Sequence, residues 1–557
     1  MPTLNWIGKE AVVNHHREVP YHLLRCDEKL SVGDPGSGNL LVQGDNLLAL
    51  KALLPYYAGR VKCIYIDPPY NTGDENWVYN DNVNSPQIRK WLGQVAGKEA
   101  EDLSRHDKWL CMMYPRLALL REFLRLEGMI FVSIDEHEEG NLRLMMDDVF
   151  GADNALGTLV WKRRSSSAMR GTPLSIDHEY VLAYAADARS TTMFGLSKGV
   201  EGYPYEDERG HYASTDLTVG MGRDARPGQF YPITNPRTGR VYEPNPERVW
   251  RFFPETMQKV IERDLIIWPD EVEGKMTRPR YKTYYDPNTE KLRPVSSWIE
   301  RPNTNDRELE GDEAEYDVSI LTSGMTQEGG KLLQHIMGSK VFAYPKPLSL
   351  VRSLVRAAAG PADIIMDSFA GTGTTAHAVL DLNAEDGGAR RFLVVEMEED
   401  ICSSITRERL ARAIQGYTST NGKRQKEVPG LGGGFRFCKL SHPIFDENGQ
   451  IHTEVRFADL AAHVFFTETG EPVPKRPTRR TPLIGVCNGT AYYLLFNGVL
   501  GDKRPHGGNV LTGRTLSELP RHDGPKVVYG DGCRLGPAHL KREGITFKQI
   551  PYEIKVS

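Results

Sequence analysis

Cysteine is scarce in this 557-residue chain and poorly placed for cross-linking. Cys26, Cys63, Cys111, Cys402, Cys438, Cys487 and Cys533 are scattered, odd in number and never spaced Cys-x-x-Cys. That pattern predicts a reducing, cytoplasmic setting and argues against a zinc cluster or a disulfide framework. Long apolar runs are also missing. None approaches the ~18 residues of a membrane helix, and the longest, 180–185 and 492–496, suit buried strands. Residues 1–10 lack the charged-then-apolar pattern of a secretory leader. No Gly-x-x-x-x-Gly-Lys-Ser/Thr loop occurs, so the chain is not itself predicted to be an ATPase. There are no internal repeats, and neither sign of charge dominates. The net charge of −5 gives no general attraction to nucleic acid, but it leaves room for a local basic face.

What is present is ordinary globular composition, 39% hydrophobic and 26% charged. At ~150 residues per domain the length allows three or four units. Residues 1–38 are polar and broken by Gly and Pro, which predicts an arm. From 39 onward strands and helices alternate. Strands are expected at 39–43, 61–66, 128–134, 157–161 and 179–184, with helices at 47–54, 109–126 and 136–150. Residues 74–106 read as a mobile loop. The rhythm stops over 186–325, a stretch rich in Gly, Pro, Arg and aromatics. Between Arg223 and Arg301 it holds 15 Lys and Arg against 12 Asp and Glu. Regular elements return with a helix starting at 330–337, a helix at 347–359, strands at 363–367 and 391–395, and helices at 376–382 and 400–414. Residues 421–434 read as a Gly-rich linker, and 435–557 as a separate β-rich domain. Alternation of this kind predicts an α/β fold, a mainly parallel sheet with helices on its faces.

Four motifs stand at predicted strand ends or before a helix. The run Asp367-Ser368-Phe369-Ala370-Gly371-Thr372-Gly373-Thr374-Thr375 follows a strand and opens a helix. Its glycines allow a tight turn and close approach of a ligand. Glu396 ends the next strand, where an acid would hold a ribose hydroxyl. This half-unit suits an adenosine cofactor, either NAD(H) or S-adenosylmethionine. The second motif is Asp67-Pro68-Pro69-Tyr70. As plain structure it is a rigid turn. As chemistry, it suits an exocyclic amino group of a nucleobase, whose lone pair is delocalised into the ring. Asp67 and the Pro68 carbonyl can accept its two N–H bonds, and Tyr70 can stack on a base taken out of the helix. An oxidoreductase would leave this box idle. The third is Gly44-Asp45-Asn46, where Asp45 suits a helix N-cap and also an acceptor for the cofactor's adenine amino group. The fourth is 342–347, with Lys346 before a helix, which could line the cofactor's amino-acid end. Within the irregular insert, Arg248, Trp250, Arg251, Arg278, Arg280 and Tyr281 are candidates for phosphate and base contacts. Lys475-Arg476 and Arg479-Arg480 read as an exposed loop, a candidate for contact with the DNA backbone.

With the Asp-Pro-Pro-Tyr box ahead of the Phe-Ala-Gly-Thr-Gly loop and a long insert between them, the chain resembles β-group DNA amino-methyltransferases that use S-adenosylmethionine. It is closer still to the modification subunits of type III restriction systems. The likeness rests on 39–54, 63–73, 131–136, 248–253, 344–347 and 369–375, and spans roughly 38–415. The resemblance implies a Rossmann-like methyltransferase core in two halves, 39–185 and 326–420, with a target-recognition insert at 186–325. It implies catalysis at Asp67, Pro68, Pro69 and Tyr70. The cofactor would lie against Asp45, Asp67, Lys346, Asp367, Phe369, Ala370, Gly371, Thr372, Gly373, Thr374 and Glu396, with no metal needed. The Asp before Pro-Pro-Tyr favours adenine N6 over cytosine N4. Double-stranded DNA is the implied substrate, a homodimer the implied assembly, and a separate helicase–nuclease subunit a possible partner. A solitary methyltransferase fits the residues equally well.

Overall fold

The computed structural model describes residues 4–34, 36–72, 105–165, 174–193, 203–245, 247–272, 276–285, 295–301, 321–421, 424–475, 477–478, 481–500 and 508–554. The predicted loop at 74–106 therefore lies outside the described residues, except for 105–106. So do Arg476, Arg479 and Arg480, while Lys475 is exposed.

Two compact units form. The first holds Met1–Met193, Ser296–Pro302 and Leu321–Ser557; the second holds Phe194–Val295 and Asn303–Ile320. Ten strands build the main sheet of the first unit. They are β1 (His22–Gly33), β2 (Leu40–Gln43), β3 (Val61–Ile66), β4 (Leu124–Ile134), β5 (Ala155–Lys162), β6 (His178–Ala185), β7 (Trp298–Ile299), β8 (Ile364–Asp367), β9 (Arg391–Glu396) and β10 (Gly434–Pro443). Their order across the sheet is β1-β10-β2-β9-β8-β3-β4-β6-β5-β7. From β10 to β4 every neighbouring pair is parallel. Strands β1 and β6 run antiparallel to their neighbours in that block. The central strands are mostly apolar and largely buried, as in the Val61–Ile66 run, where every residue, Lys62 included, is buried, because helices cover both faces of a parallel sheet.

Helices α1 (Asn46–Tyr57), α2 (Arg105–Phe123), α3 (Glu139–Phe150), α4 (Leu348–Ala358) and α5 (Thr374–Asp386) connect these strands. From β8 the chain passes through α5 to β9 on one side. From β3 it passes through α2 to β4 on the other. The adjacent carboxyl ends of β8 and β3 thus flank a switch point, where open α/β sheets gather ligands. Among the described residues no helix is long and apolar enough to cross a membrane.

Several elements differ from the sequence reading. Residues 1–38 are not an arm. They contain short helices at Lys9–Val12 and His15–Glu18, and β1, which pairs along β10. An edge strand needs only one apolar face, so its sequence, HLLRCDEKLSVG, hides it. Helix α2 stops at Phe123 instead of running on to 126, because Leu124 already pairs with Val61 of β3. The predicted linker at 421–434 holds half of a hairpin, Gly416–Asn421 with Arg424–Pro429, and ends where β10 begins. Strand β10 sits between β1 and β2, so the residues after 434 start inside the main sheet and belong to the first unit. Their own four-stranded sheet runs Leu483–Cys487, Thr490–Leu494, Lys526–Gly530 and Ile545–Gln549. Cys26 and Cys438 are direct partners across β1 and β10 and form a disulfide where the sequence predicts none. They are 412 residues apart in the chain, and only strand pairing brings them together.

The second unit is a four-stranded sheet, Ile266–Ile267, Arg280–Tyr284, Gly210–Asp216 and Tyr205–Asp207, with the helix Pro254–Glu262. Leu217, Trp250, Met257 and Trp268 are among its core residues.

Candidate active site

Strand β3 ends where Asp67 meets two prolines, which lack the N–H needed to extend the ladder. The turn is pinned from outside. The Trp109 indole on α2 donates to the Pro69 carbonyl at 2.7 Å. Asn71, fully buried and in the left-handed region at φ 60°, donates to the Arg105 carbonyl at 3.3 Å and to the Glu138 carboxylate. His106 and Asn141 hold the same buried Glu138 at 2.6 and 2.8 Å. Asn71 and Glu138 went unnoticed in the sequence, although an Asn directly after a Pro-Pro-Tyr turn is a residue suited to positive φ.

A cation closes the box. The Lys346 ammonium lies 3.0 Å from Asp67 Oδ1 and 3.3 Å from Glu179 Oε2, and donates to the Tyr70 hydroxyl at 2.6 Å. The Tyr70 hydroxyl in turn donates to Glu179 Oε2 at 3.1 Å. Arg163 donates to the other oxygen of Glu179 at 2.8 Å. Glu179 stands on β6 and its side chain is 5% exposed, while that of Asp67 keeps 27%. Asp67 is therefore the carboxylate a ligand can reach. Burial pushes the Asp67 carboxyl above the usual carboxylate range, against the pull of Lys346. Burial also opposes ionisation of Glu179, but Lys346 and Arg163 outweigh it and hold that group below its ordinary value. Burial works against the Lys346 charge as well, and the two carboxylates overcome it, raising Lys346 above an ordinary lysine. Two carboxylates, Asp67 and Glu179, thus draw the Lys346 ammonium onto the Asp-Pro-Pro-Tyr box. Its backbone carbonyl still faces the glycine loop, accepting from Thr374 Oγ1 at 3.4 Å.

On the neighbouring strand, β8 leads through the glycine loop into α5. Gly371 and Gly373 have φ of 50° and 79°. A Cβ at Gly373 would stand 3.0 Å from Thr406 Cγ2, whereas one at Gly371 would meet nothing nearer than 4.0 Å. The loop is therefore packed behind Gly373 and open over Gly371. Thr406 ends a wider, π-type turn at Cys402–Thr406 and donates to the Gly371 carbonyl at 2.5 Å. Buried Arg409 donates to the hydroxyls of Thr372 and Thr374, each at 2.8 Å. Phe369, Ala370, Thr372 and Thr374 are all buried. Asp367 braces the loop from within, accepting from the Phe369 N–H at 2.9 Å and the Thr375 hydroxyl at 2.5 Å. What the structure shows for Asp367 is this internal role: it is 2% exposed, with one donor from the loop on each oxygen. Glu396 accepts from the Gly371 N–H at 2.7 Å with one oxygen and from the Glu398 N–H at 2.9 Å with the other. Burial pushes the carboxyls of Asp367 and Glu396 up to about 7 each.

Asp45 caps α1, accepting from the Leu48 N–H at 3.0 Å, and pairs with Arg116 at 3.5 Å. The next residue, Asn46, donates to the Ser368 carbonyl at 3.2 Å and ties that cap to the glycine loop. Asp45, Asp67, Gly371 and Glu396 all follow or end parallel strands at the same sheet edge.

The basic and aromatic candidates of the second unit divide. Trp250 is 1% exposed and belongs to the core, so its predicted DNA contact is corrected. Tyr281 packs against the same core. Arg248 is spent on Asp216 at 3.0 Å, and Arg280 on Ser214 at 2.8 Å. Arg251 and Arg278 are exposed, with Arg251 lying 5.9 Å from the Phe252 and Tyr281 rings.

A family model described as DNA methylase, for N6 and N4 enzymes, matches residues 61–407, more than half of the chain. The StyLTI Mod subunit of a Salmonella typhimurium type III restriction-modification enzyme is 30% identical over 78% of this chain, which spans 64% of that protein's length. The type II methyltransferase M.KpnI of Klebsiella pneumoniae is also 30% identical, over 67% of this chain and 84% of its own. A putative DNA modification methylase from Thermus thermophilus aligns in structure with a TM-score of 0.31 at 14% identity, covering 72% of this chain and 98% of that one. The matched region takes in both the Asp67 box and the glycine loop, and the chain belongs to the N6/N4 DNA methylase family.

Proposed function

We propose that this protein is a site-specific DNA methyltransferase. It moves a methyl group from S-adenosylmethionine to the N6 amino group of adenine in a short duplex sequence, as the modification component of a restriction-modification system. The observation that carries this reading is the placing of Asp67–Tyr70 and the Gly371 loop on adjacent strand ends at one switch point.

The residues suit the cofactor. The open surface over Gly371 allows close approach, and the two Glu396 oxygens keep acceptor capacity for a ribose hydroxyl beyond the backbone N–H groups they accept. S-adenosylmethionine supplies a methyl group already activated on a sulfonium sulfur. The chain's task is then to position the acceptor. Asp67 and the Pro68 carbonyl accept the two amino N–H bonds of an extruded adenine, which turns the nitrogen lone pair out of conjugation and toward the methyl. Tyr70 offers its ring to the base. As the new N–C bond forms, the S–C electron pair stays on sulfur, and one amino proton leaves through Asp67 to solvent. The pinned Pro-Pro turn holds these acceptors in place before the base arrives.

Long-read modification sequencing of DNA from a methylation-free host expressing this chain tests the reading. N6-methyladenine in one short motif is the expected result. N4-methylcytosine would overturn the choice of base, and no mark despite cofactor binding would overturn DNA methylation by this chain alone. A second reading, a methyltransferase without a nuclease partner, suits the residues equally well. Co-expression with a helicase–nuclease subunit, scored by co-purification, separates the two. Light scattering on the purified chain tests the proposed homodimer.

A further inference from the structure

We infer that Glu179 and Lys346 form a positioning pair for methyl transfer, in which Glu179 holds the Lys346 ammonium between itself and Asp67 and fixes the Tyr70 hydroxyl. This rests on the assignment of Asp67 as the acceptor for the target amino group.

The geometry is closed on itself. Lys346 reaches Asp67, Tyr70 and Glu179 at 3.0, 2.6 and 3.3 Å, and Tyr70 reaches Glu179 at 3.1 Å. Three separate parts of the chain supply these groups: the turn after β3, strand β6 and the segment before α4. A buried ammonium with one carboxylate partner would bind Asp67 tightly and compete with the substrate's N–H donors. Glu179 provides the second partner, so Lys346 can lean away from Asp67 when the amino group arrives without being left unpaired in a buried site. Arg163, on the far oxygen of Glu179, keeps that carboxylate ionised and directed inward. With Asp67, Glu179, Lys346 and Arg163 all charged, the four groups sum to zero. Tyr70 is anchored by its hydroxyl, which leaves the ring's orientation fixed for stacking. Neither Glu179 nor Lys346 is proposed to exchange a proton with the substrate.

The groups that face Asp67 are Lys346 and Tyr70, with Glu179 from β6, Tyr65 from β3 and Asp367 from β8. Lys346 lowers the Asp67 pKa and Glu179 raises it. Removing each should therefore move the acidic limb of the methylation rate in opposite directions. A merely structural role would not produce that split.

The experiment is single-turnover methylation of duplex DNA across pH, with the full chain and S-adenosylmethionine, for wild type, Lys346→Met and Glu179→Gln. Thermal melting and cofactor titration serve as folding controls. The expected result is a rate loss of about tenfold or more in each variant, with cofactor affinity within about threefold of wild type. The acidic limb should move to higher pH in Lys346→Met and to lower pH in Glu179→Gln. Unmoved limbs, or limbs moved the same way, in folded variants overturn the pairing. If Glu179→Gln fails to fold, Lys346→Met decides alone: an upward limb supports the inference and an unchanged one overturns it. Failure of wild type to methylate DNA overturns the reading of Asp67 itself, a separate outcome.

Discussion

An amino group that donates both N–H bonds needs acceptors that do not move, and Asp67 has a buried cation on one side and a proline-fixed turn on the other. Replacing it with alanine removes the acceptor and leaves Lys346 with Glu179 as its partner. Asp67→Ala should lower the methylation rate by about a thousandfold or more while S-adenosylmethionine still binds, measured by methyl incorporation beside cofactor titration. Glu396 gives a prediction in pH. Its carboxyl is held protonated up to about 7 by burial, so its charge develops across neutrality. Ribose hydroxyls and a sulfonium cation favour the anion, so cofactor affinity should rise between about pH 6 and 8 and then level off. Asp367 carries the same shift, and Glu396→Gln separates the two by flattening only the Glu396 share in calorimetric titrations. The Asp67–Tyr70 box and the glycine loop were legible because each is one unbroken run of residues. Glu179, Arg163, Asn71 and Arg409 were not, since each acts on a partner brought close by sheet pairing or helix packing.

Among the elements, the glycine loop and the helix it opens depend on backbone conformations that few residues adopt. Gly373 stands at φ 79° against Thr406. Gly373→Ala should cost about 1–2 kcal/mol for the left-handed conformation alone, more with the Thr406 contact. It should lower both the melting temperature and cofactor affinity, since Thr406 also holds the Gly371 carbonyl. Differential scanning calorimetry with and without cofactor measures the two effects. The interior strands were readable as apolar runs bounded by turns. Strand β1 was not, because an edge strand keeps a polar face, and the end of α2 was displaced by the pairing of Leu124 with Val61. The π-type turn at Cys402–Thr406 leaves no mark in composition, yet it aims Thr406 at the loop.

In the whole molecule, every group of the proposed methyl-transfer site lies in the first unit, including the segment after the insert. Replacing Phe194–Val295 with a short linker should therefore leave cofactor binding within about threefold of the full chain and abolish sequence-selective DNA binding. Isothermal titration and gel-shift competition against random duplex check the two halves of that statement. DNA affinity of the full chain should fall linearly on a log–log plot as salt rises, with exposed Arg251 and Arg278 contributing to the slope. The proposed chemistry is read from the sequence by itself. Carboxylate, double proline and aromatic in one run, and a glycine turn followed by a spaced acid, are local patterns whose meaning survives without coordinates. Tertiary structure alone decided which charges surround Asp67, that residues 22–33 and 434–443 belong to the same sheet as the proposed methyl-transfer site, and that Trp250 is core rather than DNA contact. Those facts depend on partners tens to hundreds of residues away, and burial and pairing across such distances are properties of the packed chain.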